Sequence, residues 1–149
     1  MLIETSLSNL ELLHRGKVRD TYDLGGDQLL MVATDRISAF DVVLPNGIPH
    51  KGEVLNRMSA FWFRKTNHLV SNHFVRLADA YAGVGPLYTA GATGGVAKIP
   101  EEVLRQAMIV RRAQRIDIEC IVRGYMAGSA WAEYQRQGTV WGLPTPKGM

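Results

Sequence analysis

The feature that most constrains the fold is a pair of adjacent strand patterns joined by a glycine turn. Over residues 17–24, apolar and polar side chains alternate, which is typical of a strand with one buried face. Gly25-Gly26-Asp27-Gln28 has the glycines of a tight turn, and residues 29–33 form a continuous apolar run, as in a strand covered on both faces. The pattern predicts an antiparallel hairpin.

Composition excludes several classes of protein. The chain has 149 residues, 46% of them hydrophobic and 21% charged, which is enough for one globular domain with its own core. The net charge is only +3 and the basic residues are scattered, which argues against nucleic acid as a partner. No apolar run reaches the ~18 residues of a membrane span, and the N-terminus lacks the pattern of a secretory signal. We therefore expect a cytoplasmic protein with no membrane partner.

Periodicity predicts the remaining elements. The expected helices cover residues 51–65, a short stretch after Pro100, and Ser129 to Gln137 with Gly138 as the closing residue. The expected further strands cover residues 73–77, 108–112 and 116–123. Residues 79–99 contain five glycines and are expected to form an exposed, flexible loop. Two side-chain placements also follow: an apolar face of the first helix, and burial of the single Cys120 as a small hydrophobe. The residues of that apolar face are Val54, Leu55, Met58, Phe61 and Trp62.

Two polar segments near the N-terminus are candidate sites. Lys17 and Arg19 lie two residues apart at a strand start, where they suit a polyphosphate, although a solvated strand face has the same pattern. Asp35, Ser38 and Asp41 follow a buried strand, where functional groups are frequent, although turns and caps use the same residue types. The residue after Lys17 is not the Ser or Thr of a Walker A loop. Neither segment decides the function by itself.

A third segment has the layout of a phosphate site. Apolar residues lead to Arg123, and a glycine-flanked turn then places Ser129 at the start of a helix. A helix start has unpaired N–H groups and the positive end of the dipole, and an arginine adds a bidentate clamp. The alternative is a capped helix near an unrelated arginine.

Taken together and in order, these segments resemble the SAICAR synthetases of purine biosynthesis. The residues that carry the resemblance read RGKVRD from Arg15, ATDRISAFD from Ala33 and ECIVRGYMAGSAW from Glu119. The resemblance runs from about Leu12 to the last residue, with the Gly/Ala-rich loop as its one poorly matching part. It implies an ATP-dependent ligase that uses Mg²⁺ and joins the carboxylate of the ribonucleotide CAIR to L-aspartate through an acyl phosphate.

The resemblance also implies roles for individual residues. The ATP phosphates would meet Gly16, Lys17, Val18 and Arg19, and the adenine-binding hinge would include Arg112 and Gln114. The ribonucleotide 5′-phosphate would meet Arg123, Gly128 and Ser129, with Ser38 and Lys51 in the substrate cleft. Lys17, Asp35 and Asp41 are the catalytic candidates, and no metal ligand is expected in residues 1–149.

The fold implied by the resemblance is α+β, an antiparallel β-sheet lobe with flanking helices that is similar to the small lobe of protein kinases. Residues 1–149 would form the N-terminal ATP- and ribonucleotide-binding lobe. Family members run to nearly twice this length, and their second half holds an Asp-x-Lys-x-Glu-Phe-Gly motif for Mg²⁺ that does not occur here. We therefore expect this chain to be inactive alone and to self-associate through the surface that faces the second lobe.

Two readings from other classes compete with this one. A non-catalytic nucleotide-binding module would use the same anion sites and would bind ligands without turnover. A basic domain for nucleic acid would need a clustered arginine face and a steep salt dependence.

Overall fold

The computed structural model describes residues 1–79, 99–118, 120–146 and 148, and these belong to two compact units. Unit 1 is Met1–Gln114 and unit 2 is Arg115–Met149. The loop predicted at 79–99 lies, apart from its two end residues, outside the described residues. No helix in the described ranges has the length and apolar character needed to cross a membrane.

The described elements of unit 1 are β1 (Leu12–Arg15), β2 (Arg19–Gly25), β3 (Gln28–Ala33), β4 (Ser38–Ala39), β5 (Val42–Val43), α1 (Lys51–Thr66), β6 (Phe74–Leu77), α2 (Glu101–Arg105) and β7 (Ala107–Arg111). Among these described residues the main sheet is antiparallel and has five strands in the order β1-β2-β3-β7-β6, so the predicted α+β class is confirmed. The predicted hairpin is the β2–β3 pair, with Tyr22 opposite Leu30. Gly25 and Gly26 have φ of 82° and 58°, which explains why this turn needs glycine.

The core of unit 1 lies on one face of this sheet. Leu30, Val32 and Ile109 point to that face and are fully buried, and the N-terminal segment and α2 cover them. Residues 29–33 were expected to be covered on both faces, which is wrong: burial alternates along β3, and Met31 and Ala33 are only partly buried. The opposite face carries α1 and an open cleft, which leaves these two side chains accessible.

Helix α1 forms where it was predicted, but the face that it buries is a different one. Gly52, Asn56 and Ala60 face the sheet, because a side chain at residue 52 would collide with the Ala33 carbonyl and the backbones can approach closely only at glycine. The predicted apolar face is about half exposed, from 40% at Leu55 to 55% at Val54. Small side chains therefore decide how α1 packs, and the large apolar ones point outward.

Unit 2 contains one helix and one short hairpin among its described residues. These are α3 (Ser129–Gln137), β8 (Thr139–Val140) and β9 (Leu143–Pro144), and Gly138 closes the helix with φ 68° as predicted. The Glu133 carboxylate accepts hydrogen bonds from the Gly142 N–H and the Thr139 hydroxyl, which ties α3 to this hairpin. Because these donors hold the charged form, the pKa of Glu133 is lowered.

The strand predicted over residues 116–123 is wrong. The described residues of this stretch form no strand, and Ile116, Ile118 and Val122 are 77%, 74% and 94% exposed. A strand needs a neighbour for its N–H and C=O groups, and no described residue of unit 2 pairs with this stretch. Cys120 is likewise exposed instead of packed in a core.

Candidate functional site

Residues 16–19 carry the first group of predicted ATP contacts; they comprise the turn between β1 and β2 and the first residue of β2, and are called the cationic loop below. Its turn is closed by the Gly16 N–H, which donates to the Arg19 carbonyl at 2.7 Å. The side chains of Lys17 and Arg19 are exposed, and Val18 is partly buried. Two cations and a short stretch of backbone are thus presented together at the start of β2.

A buried ion pair lies directly behind the cationic loop. The Arg36 guanidinium bonds Asp20 at 2.7 Å, and Asp20 is 0% exposed. Arg36 also donates to the carbonyls of Gly16 at 2.9 Å, Lys17 at 3.1 Å and Ile3 at 2.7 Å. Burial alone would raise the pKa of Asp20, but hydrogen bonds from Arg36 and Thr5 outweigh burial and lower it. Asp20 therefore stays ionised at neutral pH.

A cleft lies between the sheet face opposite the core and helix α1. Lys51, at the start of α1, lines this cleft. Burial lowers the pKa of its ammonium group, and the nearby cations of Arg19 and Arg36 lower it further, although the charge of Asp35 raises it. Asn56 also lines this cleft; its Nδ2 donates to the Ala107 carbonyl at 3.0 Å, and its buried Oδ1 has no hydrogen-bond partner in the described structure. The lining residues are Val18, Arg19, Met31, Ala33, Lys51, Leu55, Asn56, Ser59, Phe63, His73 and Met108.

Asp35, one of the predicted catalytic residues, is completely buried. Its carboxylate accepts the Leu2 N–H at 2.8 Å and the Gly52 N–H at 2.9 Å, and Gln106 adds longer contacts of 3.3 and 3.4 Å. Burial would raise the pKa of Asp35, but these donors lower it. The geometry fits a carboxylate that anchors the start of α1, and its catalytic role stays a prediction.

Ser38 and Asp41 belong to the two-stranded β4–β5 hairpin. Its turn residues Phe40 and Asp41 have φ of 48° and 66°, which side chains other than glycine seldom adopt, and Phe40 is fully exposed. The Asp41 carboxylate accepts a hydrogen bond from the Lys17 ammonium at 2.6 Å, which lowers the pKa of Asp41. The hairpin thereby brings a predicted catalytic acid to the cationic loop.

Arg112 and Gln114, the residues predicted to form an adenine hinge, lie apart from the cleft described above. Arg112 pairs with Asp23 at 2.8 Å, and its N–H donates to the Asp27 carbonyl at 2.7 Å. Asp23 lies four residues along β2 from Arg19, so the two ends of this strand are separated by about 13 Å. A nucleotide that touched both ends would have to extend along β2.

Unit 2 holds the predicted contacts to the ribonucleotide phosphate. Gly128 precedes α3 with φ 66° and ψ −139°, and the Arg123 guanidinium occupies the space that a side chain at residue 128 would need. Ser129 is the first residue of α3, and all three residues are exposed. In the described part of the chain, Arg123 forms no hydrogen bond or ion pair, so its guanidinium is available beside a helix start.

Sequence reasoning missed three residues of this region as site components: Arg36, Asp20 and Asn56. Asp20 could have been noticed, because it shares the inward side of β2 with Tyr22 and Leu24, where a charge requires a buried partner. Arg36 lay inside a quoted segment but had no assigned role. Asn56 gave no signal, since an amide in the middle of a helix is ordinary.

Comparison with known proteins identifies a family that this chain resembles along most of its length. Residues 12–149 match the family model described as SAICAR synthetase. The phosphoribosylaminoimidazole-succinocarboxamide synthase of Thermodesulfovibrio yellowstonii is 45% identical over 151 residues, covering 100% of this chain and 47% of the relative. The one from Halorhodospira halophila is 47% identical, covering 98% of this chain and 45% of the relative. The chain thus spans about half the length of the curated relatives it matches.

Solved structures give the same result. The SAICAR synthase of Saccharomyces cerevisiae complexed with SAICAR superposes with a TM-score of 0.79 at 40% identity, covering 100% of this chain and 49% of that one. A type-2 SAICAR synthetase in complex with ADP has a TM-score of 0.57 at 22% identity, which shows a shared fold only.

Proposed function

The chain belongs to the SAICAR synthetase family, and from this premise we propose that it supplies the nucleotide-binding and ribonucleotide-binding part of an ATP-dependent ligase of purine biosynthesis. The ligase would join CAIR and L-aspartate and release ADP and phosphate, in the cytoplasm. The observation that carries the proposal is the extent of the family match. It spans residues 12–149 and so includes both the cationic loop and Arg123.

We assign the ATP phosphates to the cationic loop. Phosphoryl transfer depends mostly on positioning and on neutralising charge, and Lys17 and Arg19 provide two cations beside the turn. The neighbouring cleft would take the rest of the nucleotide. Arg112 and Gln114 remain proposed adenine contacts at the far end of β2.

We assign the ribonucleotide 5′-phosphate to Arg123, Gly128 and Ser129. The backbone N–H groups at the start of α3 and the Ser129 hydroxyl would donate to the phosphate, and the Arg123 guanidinium would add a bidentate contact. Glycine at residue 128 is needed because any side chain there would displace Arg123.

In the proposed reaction, a carboxylate oxygen of CAIR attacks the γ-phosphorus of ATP and forms an acyl phosphate as ADP leaves. The amine of aspartate then attacks the acyl carbon, and phosphate leaves as the amide forms. Lys17 would stabilise the phosphate charge, while Asp41 and Lys51 would contact substrates, with Ser38 beside Asp41 in the hairpin. Asp35 would act by holding the backbone at Gly52, next to Lys51.

Mg²⁺ is implied by the family, but the part of the chain that the structure describes does not fit it. No group of three His, Cys, Asp or Glu side chains among the described residues could hold a metal ion. The Asp35 oxygens are already occupied by N–H donors. We therefore assign no step of the reaction to a metal held by these residues.

A chimeric enzyme tests the proposal. The first half of the Thermodesulfovibrio yellowstonii relative would be replaced by this chain, and SAICAR formation from ATP, CAIR and aspartate would be measured beside the intact relative. We expect turnover by the chimera, none by this chain alone, and at least a tenfold rise in the CAIR KM with Arg123→Ala. Arg115→Ala, which removes another exposed arginine of unit 2, is the matched control.

The second candidate is a non-catalytic nucleotide-binding module. Under that function the chain would bind ATP, yet a folded chimera would form no SAICAR. A chimera that folds and binds both nucleotides without turnover would therefore overturn the ligase proposal in favour of the module.

A further inference from the structure

We propose that Arg36 is a positioning residue that holds the Gly16 and Lys17 carbonyls of the cationic loop toward the protein and leaves the Lys17 and Val18 backbone N–H groups for a polyphosphate. This inference deepens the nucleotide site proposed above and rests on it. It assigns a role to the buried residue Arg36 and to two backbone N–H groups, in addition to the side chains of the loop.

Three successive carbonyls of the cationic loop, those of Gly16, Lys17 and Val18, have donors outside the loop. Arg36 donates to the Gly16 oxygen at 2.9 Å and to the Lys17 oxygen at 3.1 Å. Thr34 donates to the Val18 oxygen twice at 2.9 Å, from its backbone N–H and from its hydroxyl. Carbonyl oxygens carry negative partial charge and would repel a phosphate, so fixing three successive ones inward removes that repulsion.

The backbone N–H groups of the same residues differ from the carbonyls, because most of them have no hydrogen-bond partner in the described structure. The Gly16 N–H closes the turn on Arg19, whereas no hydrogen bond found in the described ranges involves the N–H of Lys17 or Val18. Successive unpaired N–H groups form an anion-binding concavity. Together with the exposed ammonium of Lys17, they suit the oxygens of a polyphosphate.

Only an arginine matches the set of acceptors at residue 36. Its planar fork reaches the Gly16, Lys17 and Ile3 carbonyls and both oxygens of Asp20. Lysine keeps the charge but offers three donors from a single point, so it cannot serve both Asp20 and the loop. Arg36→Lys therefore separates the geometry of the guanidinium from its charge.

The experiment titrates the full ¹⁵N-labelled chain with inorganic tripolyphosphate and follows the amide signals. In the wild type we expect the Lys17 and Val18 amides to shift on binding. Arg36→Lys should weaken the affinity for tripolyphosphate at least fivefold. Thr34→Val, which removes one of the two hydrogen bonds to the Val18 oxygen, should weaken it about twofold. Arg57→Lys in α1 and Thr139→Val in unit 2 are the matched controls, because these residues are ion-paired and hydrogen-bonded but form no bond with the loop in the described structure.

A purely structural role for Arg36 makes a different prediction. It would lower the unfolding midpoint but leave the affinity of the folded fraction unchanged, and the amide signals of β3 and β7 report that fraction. Equal affinity in folded Arg36→Lys, or unmoved Lys17 and Val18 amides in the wild type, overturns the inference. If tripolyphosphate shifts these amides and ATP does not, the inference stands and the proposed nucleotide function fails.

Discussion

The cationic loop and the segment from Arg123 to Ser129, called the Arg123 segment, are both proposed to bind phosphate. They differ in how the rest of the protein holds them in place. Behind the cationic loop stand the buried Asp20 and Arg36, with every loop carbonyl bonded to the protein. Arg123 is exposed, and its guanidinium lies against the backbone at Gly128. The first site is held by the core of unit 1, and the second by local chain geometry in unit 2.

This difference indicates where each site is vulnerable. Ordering a ligand contact costs free energy, and a preformed contact has already met that cost during folding. For the cationic loop, damage to the buried pair should therefore harm the fold and the site together. For the Arg123 segment, damage should remove binding while the fold survives.

A low pH should produce the largest difference in stability between the two units. Asp20 and Asp35 both have a lowered pKa in unit 1, so the folded state binds fewer protons than the unfolded state as the pH falls. Their contribution is complete above about pH 4, the unfolded pKa, and is lost as the pH falls through the folded values. Glu133 behaves likewise in unit 2 but is partly exposed, so the effect there should be smaller.

The measurement is urea unfolding at pH 6 and pH 3, followed separately by the amide signals of Val32 and Ala132. Unit 1 should lose more of its unfolding free energy than unit 2 between the two pH values. Equal losses would mean that Asp20 and Asp35 do not make the stability of unit 1 more sensitive to acid than that of unit 2.

Asp20→Ala should have the next largest effect. It leaves the Arg36 guanidinium buried without its charge partner, and breaking a buried pair on one side typically costs about 3–5 kcal/mol of unfolding free energy. Urea unfolding of unit 1 measures this loss. Asp117→Ala removes an exposed partner of Arg115 in unit 2 and should leave unfolding unchanged. A loss below about 1 kcal/mol for Asp20→Ala would show that the buried pair does not hold unit 1 together.

Gly128→Ala should have an intermediate effect that is confined to the Arg123 segment. Residue 128 has a φ and ψ that strain an alanine, and the new methyl group would displace the Arg123 guanidinium. Affinity for AMP phosphate, followed by the Ser129 amide, should fall about tenfold or more. Gly138→Ala is the matched control, because it also has a positive φ of 68° but has open space around it. If both variants weaken phosphate binding equally, the contact between residues 123 and 128 does not matter.

Sequence reasoning succeeded where a local pattern determines structure. The β2–β3 hairpin follows from alternation and a glycine turn, and α3 follows from its closing Gly138. It failed where the answer depends on a neighbour far along the chain. The outward apolar face of α1 exists because Gly52 meets the Ala33 carbonyl, and no periodicity in the helix contains that information.

The same limit applies to the candidate site. The residue types of the cationic loop and of the Arg123 segment could be read directly from the chain. The bond from Arg36 back to Asp20, 16 residues earlier, could not, although the inward position of Asp20 on β2 was a signal. The sequence places Asp35 in a polar loop but does not show that it is buried, because its hydrogen-bond donors come from Leu2 and Gly52, far from it along the chain.

Asp41→Asn should have the smallest effect on stability and affinity, and it tests the exposed ion pair at the cationic loop. Asp41 and Lys17 are 90% and 53% exposed, so their pair should add nothing measurable to unfolding stability. Asp41 does compete with a phosphate for the Lys17 ammonium, so its neutral variant should bind tripolyphosphate more tightly, by at most about fivefold. Asp23→Asn, at the other end of β2, is the control. Weaker binding by Asp41→Asn would instead mean that Asp41 orients Lys17 toward the phosphate, so that this exposed pair, like the buried one behind it, is part of the preformed site.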